Sequence, residues 1–119
     1  MTIESKKYQI SDALSERRDR PSVGLIVLNT DFTFERDFVR MYTEQKPDYD
    51  FYFNRIYFAN PMTPESLAAI GDDLTEAAAL ILPNYDVDLV VFNCTSASSV
   101  FGDEAIEHAI QESKPTAKV

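Results

Sequence analysis

An unbroken apolar run near the start of the chain limits the kind of sheet that it can form. The run is Val23-Gly-Leu-Ile-Val-Leu28, and it lies between Pro21 and Asn29. A strand with one face in water alternates apolar and polar residues, whereas a strand covered on both faces, as in a parallel sheet, is continuously apolar. The run therefore predicts a buried strand of a parallel sheet.

Strand-like and helix-like segments alternate along the rest of the chain. The pattern predicts helix 34–45, strand 50–58, helix 64–82, strand 88–92 and helix 102–113. Each helix is long enough to connect one strand to the next parallel strand. With right-handed crossovers this order, β-α-β-α-β-α, predicts an α/β fold, a three-layer sandwich with a small parallel sheet.

The starts of the first two helices have recognisable signals. Thr33 is the expected cap of the first helix, and Thr63 followed by Pro64 is typical of a helix start. Four residues of the first helix fall at helical spacing and are expected to face the core. They are Phe34, Phe38, Met41 and Tyr42.

The two ends of the sequence differ from its middle. Residues 1–20 are polar and are expected to be an N-terminal extension, and residues 21–119 are expected to form a single α/β lobe. The last residues, Lys114-Pro-Thr-Ala-Lys-Val119, resemble the approach to a fourth strand. The lobe is therefore expected to be truncated at the start of that strand.

The third predicted strand leads directly into Cys94, the only cysteine of the chain. Ligands of open parallel sheets bind beyond the carboxyl ends of the strands, where Cys94 is expected to lie. A thiol between a strand end and a helix start meets backbone N–H groups that favour the thiolate, which can act as a base or a nucleophile. A buried structural cysteine is the alternative, although the hydroxyl-rich run Thr95-Ser-Ala-Ser-Ser99 is more than a structural loop needs.

Other polar side chains are expected at the same edge of the sheet. Hydroxyl, amide and backbone N–H donors near a helix start suit a small carboxylate. The candidate residues for holding it are Asn29, Thr30, Asp31, Thr95 and Ser96. The only histidine, His108, falls inside the last helix, so a Cys-His dyad is not expected.

The composition limits the partners and the compartment. Lys and Arg number 11 against 20 Asp and Glu, a net charge of −9, which disfavours nucleic acid and anionic membranes as partners. No apolar run reaches the ~18 residues of a spanning helix, and the start of the sequence has no apolar signal-peptide core. One cysteine and one histidine exclude a disulfide framework and make a metal site improbable. These features predict a reduced, cytoplasmic protein.

Three motifs at this spacing resemble those of a known enzyme superfamily. They are Gly24-Leu-Ile-Val-Leu-Asn-Thr-Asp-Phe-Thr-Phe-Glu35, Ala59-Asn-Pro-Met-Thr-Pro-Glu65 and Asn93-Cys-Thr-Ser96. Over about residues 22–119 the chain resembles the aspartate/glutamate racemase superfamily. Within it, the maleate cis-trans isomerase and arylmalonate decarboxylase group is most similar, in particular ectoine-utilisation proteins of the A type.

The resemblance implies a fold and a chemistry. Members have two similar flavodoxin-like α/β lobes facing a cleft and use no cofactor. Their thiols move protons at a carbon beside a carboxylate or add to it, and the racemases and maleate isomerases have one catalytic cysteine from each lobe. It implies that Cys94 is the catalytic cysteine of the first lobe, that Thr95 and Ser96 bind the substrate carboxylate, and that the loop with Asn29 and Thr30 lines the cleft. The family commonly has asparagine where this chain has Asp31.

The second lobe and the second cysteine are not among these 119 residues. We therefore expect either the first lobe of an isomerase or racemase-like enzyme, in the context of ectoine utilisation, or a half that pairs with another copy. Apolar surface left uncovered by a missing lobe predicts a homo-oligomer. The alternative is a non-catalytic α/β module that binds a small acid or a protein partner.

Overall fold

The predicted strands and helices occur in the predicted order, with one additional helix after the third strand, in the computed structural model, which describes residues 20–58 and 63–119. The elements are β1 (Ser22–Leu28), α1 (Phe34–Gln45), β2 (Asp50–Ile56), α2 (Pro64–Leu80), β3 (Leu89–Phe92), α3 (Thr95–Phe101) and α4 (Asp103–Gln111). The predicted α/β class and parallel sheet are confirmed. Most of the predicted extension 1–20, and residues 59–62 of the second motif, lie outside the described residues.

β1 is the middle strand of a three-stranded parallel sheet with the order β2-β1-β3. It pairs with β2 along its whole length and with β3 from Val23 to Ile26. On the other side of β3, Lys118 forms a single parallel bridge with Leu89. Its N–H donates to the Asp88 carbonyl at 3.0 Å, and its carbonyl accepts from the Val90 N–H at 2.8 Å. Lys118 thus occupies the position of a fourth strand.

One face of the sheet carries an aliphatic core. Alternate residues of a strand point to opposite faces, and those on this face pack against α2 and α4. The cluster includes Ile26, Ile56, Val90, Leu74, Ala77, Ala78, Ile81, Ile106, Ala109 and Ile110. A Cβ on Gly24 would lie 3.1 Å from Cδ1 of Ile81, so the glycine lets the end of α2 rest directly on β1.

The opposite face of the sheet is covered by aromatic rings from α1. Phe38 meets Phe51 edge-on, with ring centroids 4.9 Å apart, and Tyr42 meets Phe51 at 4.6 Å. Helices therefore flank both faces, as a three-layer α/β arrangement requires. Met41 was predicted to face the core, but it is 64% exposed. The rings of β2 pack along the row of Phe38 and Tyr42, and Met41 lies about 100° round the helix from Tyr42.

Lys114 holds the turn between α2 and β3. It is 4% exposed, and its Nζ donates to the carbonyls of Leu82 at 3.0 Å and Tyr85 at 2.8 Å. Leu82 and Asn84 have φ values of 46° and 71°, in the left-handed region that is costly for residues with a side chain. Burial lowers the pKa of Lys114, and the nearby Asp86 partly opposes that shift. The ammonium thus stabilises an otherwise strained turn.

None of the helices in the described ranges combines the length and the apolar character that crossing a bilayer would require.

Replacement of Lys114 by methionine tests the role of the ammonium in this turn. The variant keeps a long apolar stem but removes the donor to two carbonyls, so we expect the free energy of unfolding to fall by about 1–3 kcal/mol. Urea denaturation at neutral pH measures the change. Lys118→Met, at an exposed position, is the matched control and should change little. Equal losses in the two variants would show that the turn does not depend on the ammonium.

Candidate functional site

The loops that follow β1 and β3 leave the sheet side by side at its carboxyl edge. The two strands are neighbours in register, and the Asn93 N–H extends the pairing by donating to the Ile26 carbonyl at 2.9 Å. From β1 the chain passes first to β2, which pairs with one edge of β1, and later to β3, which pairs with the other edge. Such a switch in strand order is where open α/β sheets bind ligands. The loops carrying Asn29 and Cys94 therefore flank the favoured ligand position.

Cys94 stands at the start of α3 with its side chain turned inward. Its carbonyl accepts the first helical hydrogen bond, from the Ser98 N–H at 2.9 Å. The side chain is 8% exposed and belongs to the aliphatic core cluster. Its Sγ lies 3.7 Å from Oγ of Ser96, within range of a weak hydrogen bond. The thiol is thus near the sheet edge, with one hydroxyl partner.

The hydroxyl-rich run after Cys94 is helical, although a loop was predicted as far as Ser99. Its residues have modest helix propensity, and tertiary packing overrides it: Ala97 is fully buried and anchors α3 in the core. Gly102, with φ of 82°, ends α3 and precedes α4. This C-terminal glycine is the sequence signal that could have revealed the helix. Thr95 and Ser96 lie exposed in the first turn of α3, next to Cys94.

The loop after β1 is tied to the end of β2. The Asn29 N–H donates to the Ile56 carbonyl at 2.7 Å, and its side-chain Oδ1 accepts from the Phe58 N–H at 3.1 Å. The Asn29 side chain therefore has a structural partner. Thr30 is exposed at the same edge. Asn29 is exposed as well, so both predicted donors lie at the surface of this edge.

Asp31 caps α1. Its Oδ1 accepts from the N–H groups of Thr33 at 2.9 Å and Phe34 at 2.8 Å. These two bonds lower the pKa of the Asp31 carboxyl, with Phe34 the larger cause. Thr33, the predicted cap, makes no capping bond with its side chain because its own backbone is already helical, with φ of −112° and ψ of −39°. The Asp31 charge therefore serves the helix start.

Arg55 is a residue of this edge that the sequence did not single out. From β2 its guanidinium donates to the carbonyls of Leu28 at 2.9 Å and Asp31 at 2.6 Å. It also pairs with Glu35 of α1 at 3.0 Å. The one guanidinium thus joins β2, the loop after β1 and the first turn of α1. The only feature of the sequence that could have indicated this role is a single basic residue near the end of an aromatic strand.

The described residues offer little support for two other kinds of site, a Cys-His dyad and a metal site. His108 is exposed on α4 and lies 3.5 Å from the Glu112 carboxylate one turn along. Among residues 20–58 and 63–119, no three His, Cys, Asp or Glu side chains are grouped so that they could hold a metal ion. The chemistry that this part of the chain offers is that of a thiol beside hydroxyl and backbone N–H donors.

The six predicted site residues are divided between the loop after β1 and the segment after β3 that begins α3. Asn29, Thr30 and Asp31 follow β1, and Cys94, Thr95 and Ser96 follow β3. Within the described part of the chain, the approach of Cys94 to Ser96 is the only side-chain hydrogen-bond contact inside this set. The site is therefore a stretch of the sheet edge whose side chains, apart from Cys94 and Ser96, do not hydrogen-bond to one another.

Replacement of Asp31 tests its capping role and gives a defined pH dependence. Because the folded-state pKa lies below the ordinary value of 3.8, the ionised carboxylate stabilises the fold above that value. This stabilisation is lost as the pH falls through the lower folded-state pKa. Asp31→Ala should reduce the free energy of unfolding by about 1 kcal/mol at neutral pH. Urea denaturation over a pH series should show the difference from the original chain shrinking in acid.

The matched control is Asp31→Asn, which keeps a capping oxygen without the charge. It should retain most of the stability at neutral pH and lack the acid-dependent part. If Asp31→Ala is as stable as the original chain at neutral pH, the capping role is wrong.

Comparison of the chain with known protein families, with curated proteins and with solved structures found no match. The family resemblance stated from the three motifs therefore stays a prediction.

Proposed function

We propose that this chain is one lobe of a cofactor-independent enzyme that moves a proton at a carbon beside a carboxylate. The observation that carries the proposal is the position of Cys94, at the carboxyl edge of a parallel sheet where α3 begins and 3.7 Å from the Ser96 hydroxyl. In this role the Cys94 thiolate takes a proton from the substrate carbon and becomes the thiol. The developing carbanion is stabilised by its neighbouring carboxylate.

The substrate carboxylate is held by the first turn of α3. The hydroxyls of Thr95 and Ser96 are exposed there, and the N–H groups of a helix start favour a bound anion. Thr30 adds a third exposed hydroxyl from the neighbouring loop. These donors suit a small acid such as a dicarboxylate.

The position of Asp31 is compatible with an anionic substrate. A free carboxylate in this loop would repel a substrate anion and disfavour the thiolate. Asp31 instead accepts two backbone hydrogen bonds at the start of α1, and the Arg55 guanidinium lies against its carbonyl. The charge of Asp31 is partly balanced, so an aspartate at the position where the family commonly has asparagine does not oppose the proposed chemistry.

The proposed catalytic cleft needs a second lobe. Return of a proton to the opposite face of the carbon requires a second acid, and Cys94 is the only cysteine in the printed sequence. The proposal therefore places the second thiol outside these 119 residues, on a second lobe or in another copy of the chain. The order β2-β1-β3, with Lys118 beyond β3, supports the proposal of a flavodoxin-like half.

The second candidate function is a non-catalytic α/β module that binds a small acid or a protein. The burial of Cys94 favours it, since a thiol that is 8% exposed and packed in the core cluster is also what a structural cysteine looks like. The two candidates differ in whether a substrate-like anion and the thiol share one site. A test of that difference requires no knowledge of the true substrate.

Alkylation of Cys94 by iodoacetamide, followed by mass spectrometry, tests whether thiol and anion share a site. If the proposal is right, maleate used as the trial dicarboxylate slows the alkylation of Cys94. Thr95→Ala should weaken this protection about fivefold to tenfold by removing one hydrogen bond to the anion. Ser99→Ala removes an exposed hydroxyl from the second turn of the same helix and is the matched control. Alkylation unaffected by maleate and by other small dicarboxylates would contradict the shared site.

The chemical step is tested by hydrogen exchange between small carboxylic acids and deuterated water, followed by NMR. Cys94→Ser should lower any exchange rate by about a hundredfold or more, because the alkoxide is a poor substitute for the thiolate. Measurement over a range of protein concentrations shows whether another copy supplies the second acid. Protection by dicarboxylates without any exchange, in a protein that also carries the second lobe, would favour the binding module.

A further inference from the structure

Three carbonyl groups of the turn after β1 converge on one nitrogen of Arg55. Its Nη1 donates to the carbonyls of Leu28 at 2.9 Å, Asn29 at 3.4 Å and Asp31 at 2.6 Å. Carbonyl oxygens that point to a common centre repel one another, and a positively charged donor at that centre offsets the repulsion. The guanidinium therefore keeps the turn in its present shape.

This turn encloses Thr30, a predicted donor of the candidate site. The peptide unit after Thr30 is fixed because the Asp31 N–H donates to the Leu28 carbonyl at 3.1 Å. The peptide unit before Thr30 contains the Asn29 carbonyl, which accepts from Arg55. Thr30 itself is exposed. The direction of its hydroxyl towards a ligand thus depends on the backbone that Arg55 holds on either side.

The bonds from Arg55 to the carbonyls outweigh its ion pair with Glu35. The two side chains are 38% and 40% exposed, and an ion pair with that exposure stabilises little. Hydrogen bonds from a charged donor are stronger than neutral ones, and the planar guanidinium reaches several acceptors at once. Removal of the guanidinium should therefore release the turn, whereas neutralisation of Glu35 alone should change little.

We propose that Arg55 is a positioning residue of the candidate site, which holds Thr30 where its hydroxyl meets the bound carboxylate. This role rests on the proposed function, in which Thr30 is the hydroxyl donor from the loop after β1. The guanidinium is turned to the carbonyls of the turn and to Glu35. It belongs to β2, which pairs with the edge of β1 opposite to β3. Its effect on a ligand beside Cys94 therefore passes through the turn.

A double-mutant cycle tests whether Arg55 acts through Thr30. The readout is the maleate concentration that halves the rate of Cys94 alkylation by iodoacetamide. Arg55→Met should raise this concentration about threefold to tenfold, because one hydrogen bond to the anion is weakened or lost. In a chain that also carries Thr30→Ala, Arg55→Met should change it by less than about twofold. An equal effect with and without the Thr30 hydroxyl would overturn the positioning role, since Arg55 would then act on the anion by charge alone.

Two controls separate positioning from a loss of charge and from a loss of structure. Arg40→Met removes an arginine of α1 that pairs with Glu44, and it should leave the protection by maleate unchanged. A loss as large as that of Arg55→Met would overturn the proposal. Cys94 is 8% exposed, so its alkylation without maleate reports unfolding and should stay within about twofold of the original rate in every variant.

A milder replacement keeps the test decisive if Arg55→Met unfolds the chain. Arg55→Lys retains a charged donor near the carbonyls but lacks the planar fork of the guanidinium. It should weaken the protection less than Arg55→Met does, and only in a chain that retains Thr30. A weakening that persists with Thr30→Ala would again overturn the role of Arg55.

Amide NMR spectra locate the effect of the substitution without any ligand. Arg55→Met should shift the amide resonances of Thr30 and Asp31, and it should leave in place that of Ser98, which makes the first hydrogen bond of α3. Shifts of similar size at Ser98 would overturn the proposal, because the substitution would then alter the segment that follows Cys94 as well as the turn.

The original chain separates failure of the proposed function from failure of the role of Arg55. Absence of maleate protection in the original chain would overturn the shared site and, with it, the role of Arg55. Protection of the original chain that Arg55→Met leaves unchanged would overturn only the role of Arg55.

Discussion

Burial of β1 on both faces and pairing on both edges is the constraint on which the other elements depend. Leu25 and Val27 face one side of the sheet and Ile26 the other, and all three are buried. A strand with no water on either face requires helices above and below it, and a strand on each edge. The aromatic rows of α1, the aliphatic residues of α2 and α4, and the positions of β2 and β3 all satisfy that requirement.

The same arrangement creates the candidate site. β1 is the central strand, and the chain continues to β2 on one edge of it and to β3 on the other. Because β1 and β3 are parallel neighbours, the loops that follow them leave the sheet at the same end and no strand lies between them. The side chains of these loops are then used in different ways. Asn29 and Asp31 accept backbone hydrogen bonds with their side chains, and Asn29, Thr30, Thr95 and Ser96 are exposed. The exposed part of the edge is therefore rich in hydroxyl groups.

Features that depend on local periodicity could be predicted from the sequence, and features that depend on neighbours in space could not. The continuous apolar run gave β1, and helical spacing gave the bounds of α1 at 34 and 45. Met41 has the right spacing, but it is 64% exposed. Asp31 caps α1 in place of Thr33, because the backbone of Thr33 is already helical. α3 is stabilised by the burial of Ala97, a tertiary contact that no local pattern in the sequence shows.

The proposed site residues illustrate the same division. Placement of Cys94 at the carboxyl edge followed from its position after an apolar run, because parallel strands end together. The inward thiol corresponds to the alternative of a buried cysteine, and the sequence left the two open, since residue alternation near a strand end depends on where the strand stops. Arg55 was not foreseen because its partners, three carbonyls and Glu35, come from a segment twenty or more residues earlier in the chain.

The absence of any buried residue in α1 has a consequence for how the site behaves in time. Elements with little buried surface open locally at a lower free-energy cost than the rest of a domain. α1 begins at the loop that holds Asn29 and Thr30, whereas α3 is anchored in the core through Ala97. One wall of the site is thus coupled to the least buried helix and the other to the core. Local opening at this edge is therefore expected to begin at α1 and to leave the wall formed by α3 in place.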